Sequence, residues 1–326
     1  MATLVTGGTG FVGSNIVKEL ATRGHEVVSL DVSAADYLNR DYLGEMESRV
    51  TFLTGSILDP SDLDALRQSY PIERIVHAAV FTVNRVDLET ARSRDIVEIN
   101  VAGTANVLEM ARLLQPQRFI YVSSGSMYGM ARASDQYFNE DDPSRADTLY
   151  GMTKAASEAI TQRFGELHGF ATASLRLSTP YGPMERVTGH RDNMSIPHQW
   201  TGRLLRGEPI AVDNTGEGRD FTYVLDIASG IATVLDAPEL PHDRYNITNG
   251  VWVTGQQIQQ TLAELYPDIR LVDDGADPVA NASTSPARGP LSGYRLWHDF
   301  GWKPRYDLAA GLKHYVDWRR DSGFQD

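Results

Sequence analysis

A short apolar run, Ala2–Thr6, leads directly into Gly7-Gly-Thr-Gly10-Phe-Val-Gly13, and Phe11, Val12, Ile16, Val17 and Leu20 then recur at helical spacing. Few folds accommodate a strand that turns through glycines straight into an amphipathic helix. The glycines allow a tight turn and let the backbone approach a bound group closely. The helix N-terminus adds unpaired N–H groups and a partial positive charge. Within a βαβ unit this is the fingerprint of a dinucleotide site, and Gly7, Gly10, Phe11, Val12 and Gly13 are assigned to it. A second strand over 26–30 ends in Asp31, whose carboxylate is placed to accept from adenosine ribose hydroxyls and to repel a ribose phosphate. No arginine follows Asp31 immediately, so the cofactor expected is NAD rather than NADP.

Strands and helices alternate to about residue 177. Strands are predicted at 50–53, 74–77, 119–122 and Thr172–Leu177. A helix opens at Asp59-Pro60, with aspartate as cap and proline in the first turn, and a long helix covers 90–114. This alternation predicts an α/β fold with a Rossmann-type, doubly wound parallel sheet and ligands at the carboxyl ends of its strands. Beyond Pro180, glycine and proline break the pattern, leaving short strands at 210–212 and 245–248. A smaller, mostly C-terminal substrate-binding lobe is expected there. The division predicted is a cofactor domain over 1–178 with a return segment near 216–236, and a substrate lobe over 179–215 and 237–326.

Composition narrows the class. A net charge of −13 argues against nucleic acid or an anionic membrane as partner, so an anionic ligand would need local arginines. Zero cysteines exclude disulfides, thiolate catalysis and cysteine metal sites. His190 and His198 have no recognisable zinc spacing, so no metal is expected. The fingerprint begins at residue 2 and no apolar run reaches the length of a membrane span. A cytoplasmic protein without a signal peptide is the expectation.

Lysine occurs four times, and the sole lysine between Lys18 and Lys303 stands four residues after Tyr150. Residues four apart share a helix face, which sets the ammonium of Lys154 beside the phenol of Tyr150. A tyrosine loses its proton near pH 10, so a base at neutrality needs a shift of about 3 units, roughly 4 kcal/mol. A fixed cation is one source of that shift. Ser124 lies just past the carboxyl end of the strand at 119–122, near where Tyr150 should project. Its hydroxyl can hydrogen-bond a reacting oxygen while Tyr150 moves that oxygen's proton.

Taken together, the chain resembles an extended short-chain dehydrogenase/reductase of the NAD-dependent epimerase/dehydratase family over almost its whole length. Residues 6–13 resemble the family's phosphate turn, His77-Ala78-Ala79 its small-residue loop beside the cofactor, and Asn100-Val-Ala-Gly103-Thr104 a motif on the fourth helix. Tyr150 and Lys154 resemble the catalytic pair. Arg219-Asp220-Phe221-Thr222-Tyr223-Val224 and Gly301-Trp302-Lys303-Pro304 resemble later landmarks. The resemblance implies catalysis by Tyr150, Lys154 and Ser124, with Lys154 also reaching the nicotinamide ribose. It implies cofactor contacts from Ser56, Ile57, Ala78, Ala79, Asn100 and Tyr150, although Ser56 stands where the family usually has aspartate. Asn100 and His77 could equally order the surrounding loop and helix.

Reaction type follows from what the Ser124 loop carries. Family members that eliminate water have an acidic pair where this chain has Gly125 and Ser126, and those that decarboxylate a uronic acid have glutamate at the place of Ser126. Oxidation and reduction at one carbinol remain. The resemblance implies substrate contacts from Ser124, Ser126, Thr179, Asn193, Arg219 and Arg288, and Thr179 replaces a frequent family asparagine. The expected activity is that of a 4-epimerase of a sugar or nucleotide sugar. A dehydrogenase that releases its ketone is the alternative, and a non-catalytic NAD-binding regulator a more distant one. A homodimer is expected from surplus apolar residues on 94–114 and 150–167, with Gly103, Ala155 and Ala156 allowing close approach, as in the family's usual four-helix contact.

Overall fold

The computed structural model describes residues 1–82, 86–129, 135–191, 194–213, 216–273 and 289–324. In chain order its strands are β1 (Ala2–Thr6), β2 (Glu26–Asp31), β3 (Val50–Thr54), β4 (Ile72–His77), β5 (Arg118–Ser124), β6 (Thr172–Leu177), β7 (Thr179–Tyr181), β8 (Ile210–Ala211), β9 (Gly218–Tyr223), β10 (Arg244–Ile247), β11 (Trp252–Thr254) and β12 (Leu271–Val272). Seven of them form one parallel sheet in the order β3-β2-β1-β4-β5-β6-β10. The order reverses between β1 and β4, the point where a doubly wound sheet opens a crevice at its carboxyl edge.

Alternate strand residues point to opposite faces, so a strand buried on both sides must be apolar throughout. Leu4, Val28, Ile75, Phe119 and Tyr121 pack on one face against Leu63, Leu66, Val107, Leu108 and Ala111. Val5, Val27, Val76, Ile120 and Val122 pack on the other against Ile16, Val17, Leu20, Ile227 and Ile231. Helices Phe11–Thr22 and Val224–Asp236 therefore share a face, and the return of the chain near 221–235 has a packing cause. A third core joins β7, β9 and β11 to helices Ile196–Arg206, Gly255–Leu265 and Leu308–Ser322 through Trp200, Phe221, Ile258, Leu312 and Tyr315.

Two sequence expectations need correction. The strand expected in the smaller lobe at 245–248 is β10, which extends the main sheet beside β6, with Tyr245 and Ile247 buried in that sheet's core. The single helix expected over 90–114 is divided into Val86–Ala91, Ser93–Val97, a π-helical turn at Glu98–Ala102, and Gly103–Leu114. The interruption coincides with buried Asn100, whose side chain serves the backbone of Phe81 rather than solvent. Asp59 does cap the helix Pro60–Ser69, accepting from Ser61 N. Among the described residues no helix is long and apolar enough to cross a membrane.

Candidate active site

The glycine turn between β1 and the helix Phe11–Thr22 admits no side chains at two positions. A Cβ on Gly7, whose φ is +71°, would lie 2.7 Å from Ala79 Cα, and one on Gly13 would lie 1.8 Å from Gly7 O. The turn is thus packed against the loop after β4 on one side and open to the crevice on the other. Gly7, Gly10, Phe11, Val12 and Gly13 line that crevice together with Asp31, Ser56, Ile57, Ala78 and Ala79. Asp31 is held by two backbone donors, Thr9 N on Oδ2 and Ser33 N on Oδ1, both at 3.1 Å. Ser56 offers no carboxylate there. Its N–H donates to Asp62 at 2.7 Å and its hydroxyl accepts from Leu58 N at 3.1 Å. A tight turn that must be glycine at 7 and 13, at a helix N-terminus beside a fixed carboxylate, fits the pyrophosphate and ribose of NAD.

Asn100 does not line the crevice. Its amide accepts from Phe81 N at 2.8 Å and donates to Phe81 O at 3.2 Å and Thr153 Oγ1 at 3.1 Å, tying the loop after β4 to the helix Leu149–His168. His77 is likewise internal. Its ring nitrogens meet Thr6 Oγ1 at 2.7 Å and Thr104 Oγ1 at 2.9 Å, and burial together with the Lys154 charge pushes its pKa down to about 3.

A second cavity opens at the carboxyl ends of β5 and β6 and brings Ser124, Ser126, Tyr150, Lys154, Thr179 and Arg219 together. Thr148 caps the helix Leu149–His168 by accepting from Gly151 N, which places Tyr150 in the first turn at the mouth of the cavity. Lys154, one turn on, donates to Val122 O at 2.7 Å, and its Nζ lies 4.8 Å from the Tyr121 ring centroid and 6.0 Å from that of Tyr150. Burial lowers the Lys154 pKa to about 7, against the opposing pull of Glu158. Ser124 accepts from Ser126 N at 3.1 Å and meets Ser126 Oγ at 3.0 Å, so it also caps the 3₁₀ turn Gly125–Tyr128. Asn193 and Arg288, both expected at the substrate, lie outside the described residues.

Glu185 and Asp220 were not singled out as site residues from the sequence. Glu185 is fully buried and accepts from Ser195 N at 2.7 Å, Ser195 Oγ at 2.8 Å and Arg191 Nη2 at 2.9 Å. It fixes Arg191 with the guanidinium 5.1 Å from the Phe11 ring centroid and with Nε buried and without a partner. Arg191 lines both cavities, as do Val12, Ala78, Val80 and Thr82, so the two are continuous. Asp220 is the carboxylate among the described lining residues of the second cavity. Burial pushes its pKa up to about 6, while Thr248 Oγ1 and Leu291 N, the latter at 2.9 Å, donate to its Oδ2. The helical spacing of Glu158 from Lys154 was a readable signal. Nothing in the local sequence marks Glu185.

His198 bonds Tyr315 OH through Nδ1 at 2.8 Å, and His190 packs edge-on against Phe81, so the two histidines face different partners. Among the described residues no group of three or more His, Cys, Asp or Glu side chains is arranged to hold a metal ion.

A model of the NAD dependent epimerase/dehydratase family matches residues 3–248. UDP-glucuronate 4-epimerase 1 of Arabidopsis thaliana is 30% identical over 345 residues, spanning 98% of this chain and 76% of its own length. The dTDP-D-glucose 4,6-dehydratase of Bos taurus is 26% identical over 327 residues, spanning 98% of this chain and 88% of its own. The UDP-glucose 4-epimerase of Thermus thermophilus, solved with NAD, is similar with a TM-score of 0.83 and 26% identity, covering 98% of this chain and 99% of that one.

Proposed function

The chain belongs to the NAD dependent epimerase/dehydratase family, and from that membership and the make-up of its pocket we propose that it is a nucleotide-sugar 4-epimerase working through transient oxidation of a sugar carbinol. The observation that carries this reading is the convergence of Tyr150, Lys154 and Ser124 in a cavity continuous with the dinucleotide crevice. Bound in that crevice, NAD would supply the hydride chemistry. Tyr150, held near a buried cation, removes the carbinol proton and afterwards returns it, while Ser124 hydrogen-bonds the same oxygen. Lys154, with Nζ 6.0 Å from the Tyr150 ring centroid, favours the phenolate and would hold the nicotinamide ribose.

Elimination of water would need acidic groups at 125 and 126, where this chain has glycine and serine. Asp220, the carboxylate among the described lining residues, stands at neither position; its Oδ2 accepts from Thr248 and Leu291 and its Oδ1 is buried without a partner. Arg191 and Arg219 bring positive charge to the pocket of a chain with net charge −13, and guanidinium groups suit a diphosphate or a carboxylate. The relatives named for UDP- and dTDP-sugars support a substrate of that chemistry.

We assign the cofactor half to 1–178 with 216–236 and β10, the substrate half to 179–215 and the remainder of 237–326, and the working unit to a homodimer. The test is incubation with UDP-glucose, UDP-glucuronate and dTDP-glucose, following anomeric signals by NMR and NADH by absorbance. Formation of the C4 epimer with little net NADH is expected. Stoichiometric NADH with a released ketone would replace the epimerase by a dehydrogenase.

A further inference from the structure

Residues 186–191 line the cofactor crevice together with the glycine turn and are fastened at both ends. At one end, Arg186 Nη1 lies 2.6 Å from Asp36 Oδ2 and its Nη2 donates to Asn39 Oδ1 at 3.1 Å. At the other, Thr82 N donates to His190 O at 3.0 Å, Thr82 and Arg191 form a parallel bridge, and the His190 ring packs edge-on against Phe81 with centroids 5.6 Å apart. The first anchor is built into the dinucleotide site. Asn39 Nδ2 donates to Thr9 O at 3.1 Å, and Thr9 N donates to Asp31. Asp36 in turn caps the helix Tyr37–Leu43 in a reciprocal capping box with Asn39.

The segment therefore spans from the adenosine end of the crevice, marked by Asp31 and Asp36, to Arg191, where the crevice joins the substrate cavity. We propose that residues 186–191 are a retaining strap that must lift before NAD enters or leaves, with the pair Arg186–Asp36 as its clasp. The inference rests on the assignment of NAD to this crevice and extends it to exchange of the cofactor. A 4-epimerase must keep the reduced cofactor in place until the ketone has turned over and taken its hydride back. A dehydrogenase has to exchange cofactor in every cycle. A strap fits the first demand and opposes the second.

A gate and an ordinary contact differ kinetically. Loosening a gate speeds entry and exit together and leaves affinity nearly unchanged, whereas deleting a contact speeds exit alone. The clasp is an ion pair whose Asp36 side chain is 50% exposed, so its contribution is modest and the rate effect should be several-fold rather than a thousandfold. The experiment is a chase: protein loaded with NAD is mixed with excess NADH, whose fluorescence on binding reports exchange, with no sugar present. Arg186→Ala and Asp36→Asn, the latter retaining a capping side chain, should each raise both association and dissociation rates at least threefold. The equilibrium constant should stay within twofold, and the double variant should add little to either single change. Unchanged rates in both variants overturn the strap, and so does a faster dissociation with matching loss of affinity. The chase contains no sugar and reads exchange alone, so the epimerase reading can fail in turnover assays while the strap stands. A protein that binds no NAD overturns both.

Discussion

Glu158 grips Arg176 through both carboxylate oxygens one helical turn beyond Lys154, and both partners are buried. Ser123 Oγ donates to the same carboxylate at 3.0 Å, while Lys154 donates to the carbonyl of Val122. Two successive residues of β5 are thus tied to the helix that carries Tyr150, and the next, Ser124, faces the cavity. Removing one member of a buried pair strands the other charge, at a cost of about 3–5 kcal/mol. Glu158→Gln is therefore expected to lower the denaturant midpoint strongly. It also removes the carboxylate that favours protonated Lys154 against burial. The lysine should then lose its proton at lower pH, and the alkaline limb of the kcat profile should move toward acid. A stability loss with an unmoved limb would confine Glu158 to holding the fold.

Tyr150→Phe isolates the proton transfer. The ring is buried, and phenylalanine preserves its packing while deleting the hydroxyl. NAD affinity should be retained, because the glycine turn and Asp31 are untouched. Epimerisation should fall by about 2–4 orders of magnitude, the range associated with a positioned general acid–base group. A variant keeping more than half the parental rate would remove Tyr150 from the chemistry.

The first crevice was legible because its chemistry is local. Glycines at 7, 10 and 13 and the aspartate ending β2 occupy places that only a strand–turn–helix unit explains. The spacing of Tyr150 and Lys154 was legible for the same reason. What the sequence concealed depends on how a loop folds back on itself and on contacts between distant segments. Glu185 meets Ser195 and Arg191 through a turn, and β10 joins the main sheet far along the chain from β6 because Tyr245 and Ile247 complete its core. The apolar period of 90–114 is helical throughout, so no periodicity could reveal the π turn at Glu98–Ala102. Gly103 illustrates the limit most directly. A small residue there suggested a subunit contact, yet a Cβ would lie 2.5 Å from Ile57 Cδ1 within the same chain.

His77 supplies a pH dependence of stability. Its folded pKa is about 3, against an ordinary value of 6.5 in the unfolded chain. Between those values the unfolded state binds the extra proton, so stability is full above pH 6.5 and is lost as the pH falls toward 3. The slope contributed by one such group is about 1.4 kcal/mol per pH unit. Replacing His77 by Gln, which keeps polar atoms near Thr6 and Thr104 but cannot titrate there, should flatten this part of the curve whatever it does to absolute stability. Denaturant midpoints across that range, parent against variant, would show equal slopes if His77 were not the proton acceptor.

The homodimer is the last expectation to test, and the structure alters its grounds. Ile96, Val107 and Met110, counted as surplus from the sequence, are buried within the chain, and Ala155 packs beside Met127, Tyr128, Phe138 and Leu291. What stays outside is narrower. Met152 is 50% exposed and Leu167 57%, with Ala156 and Ala159 exposed between them on the helix Leu149–His168. On the neighbouring segments Val97 is 42% exposed and Leu113 49%. A stripe of small residues bounded by larger apolar ones suits close approach of a second, identical helix pair across a two-fold axis. Arg163, paired with Glu166, interrupts the stripe and would sit at or near the rim of such a contact, where an ion pair costs little. Because the stripe lies on the outer side of the helix that carries Tyr150 and Lys154, association would brace the catalytic turn. Met152→Glu places a charge at one end of this stripe, on a side chain that does not line the pocket. It should convert a dimer to a monomer by light scattering at micromolar concentration and lower kcat, with NAD affinity unchanged. A parental protein that is already monomeric at full activity ends the dimer and its bracing role together.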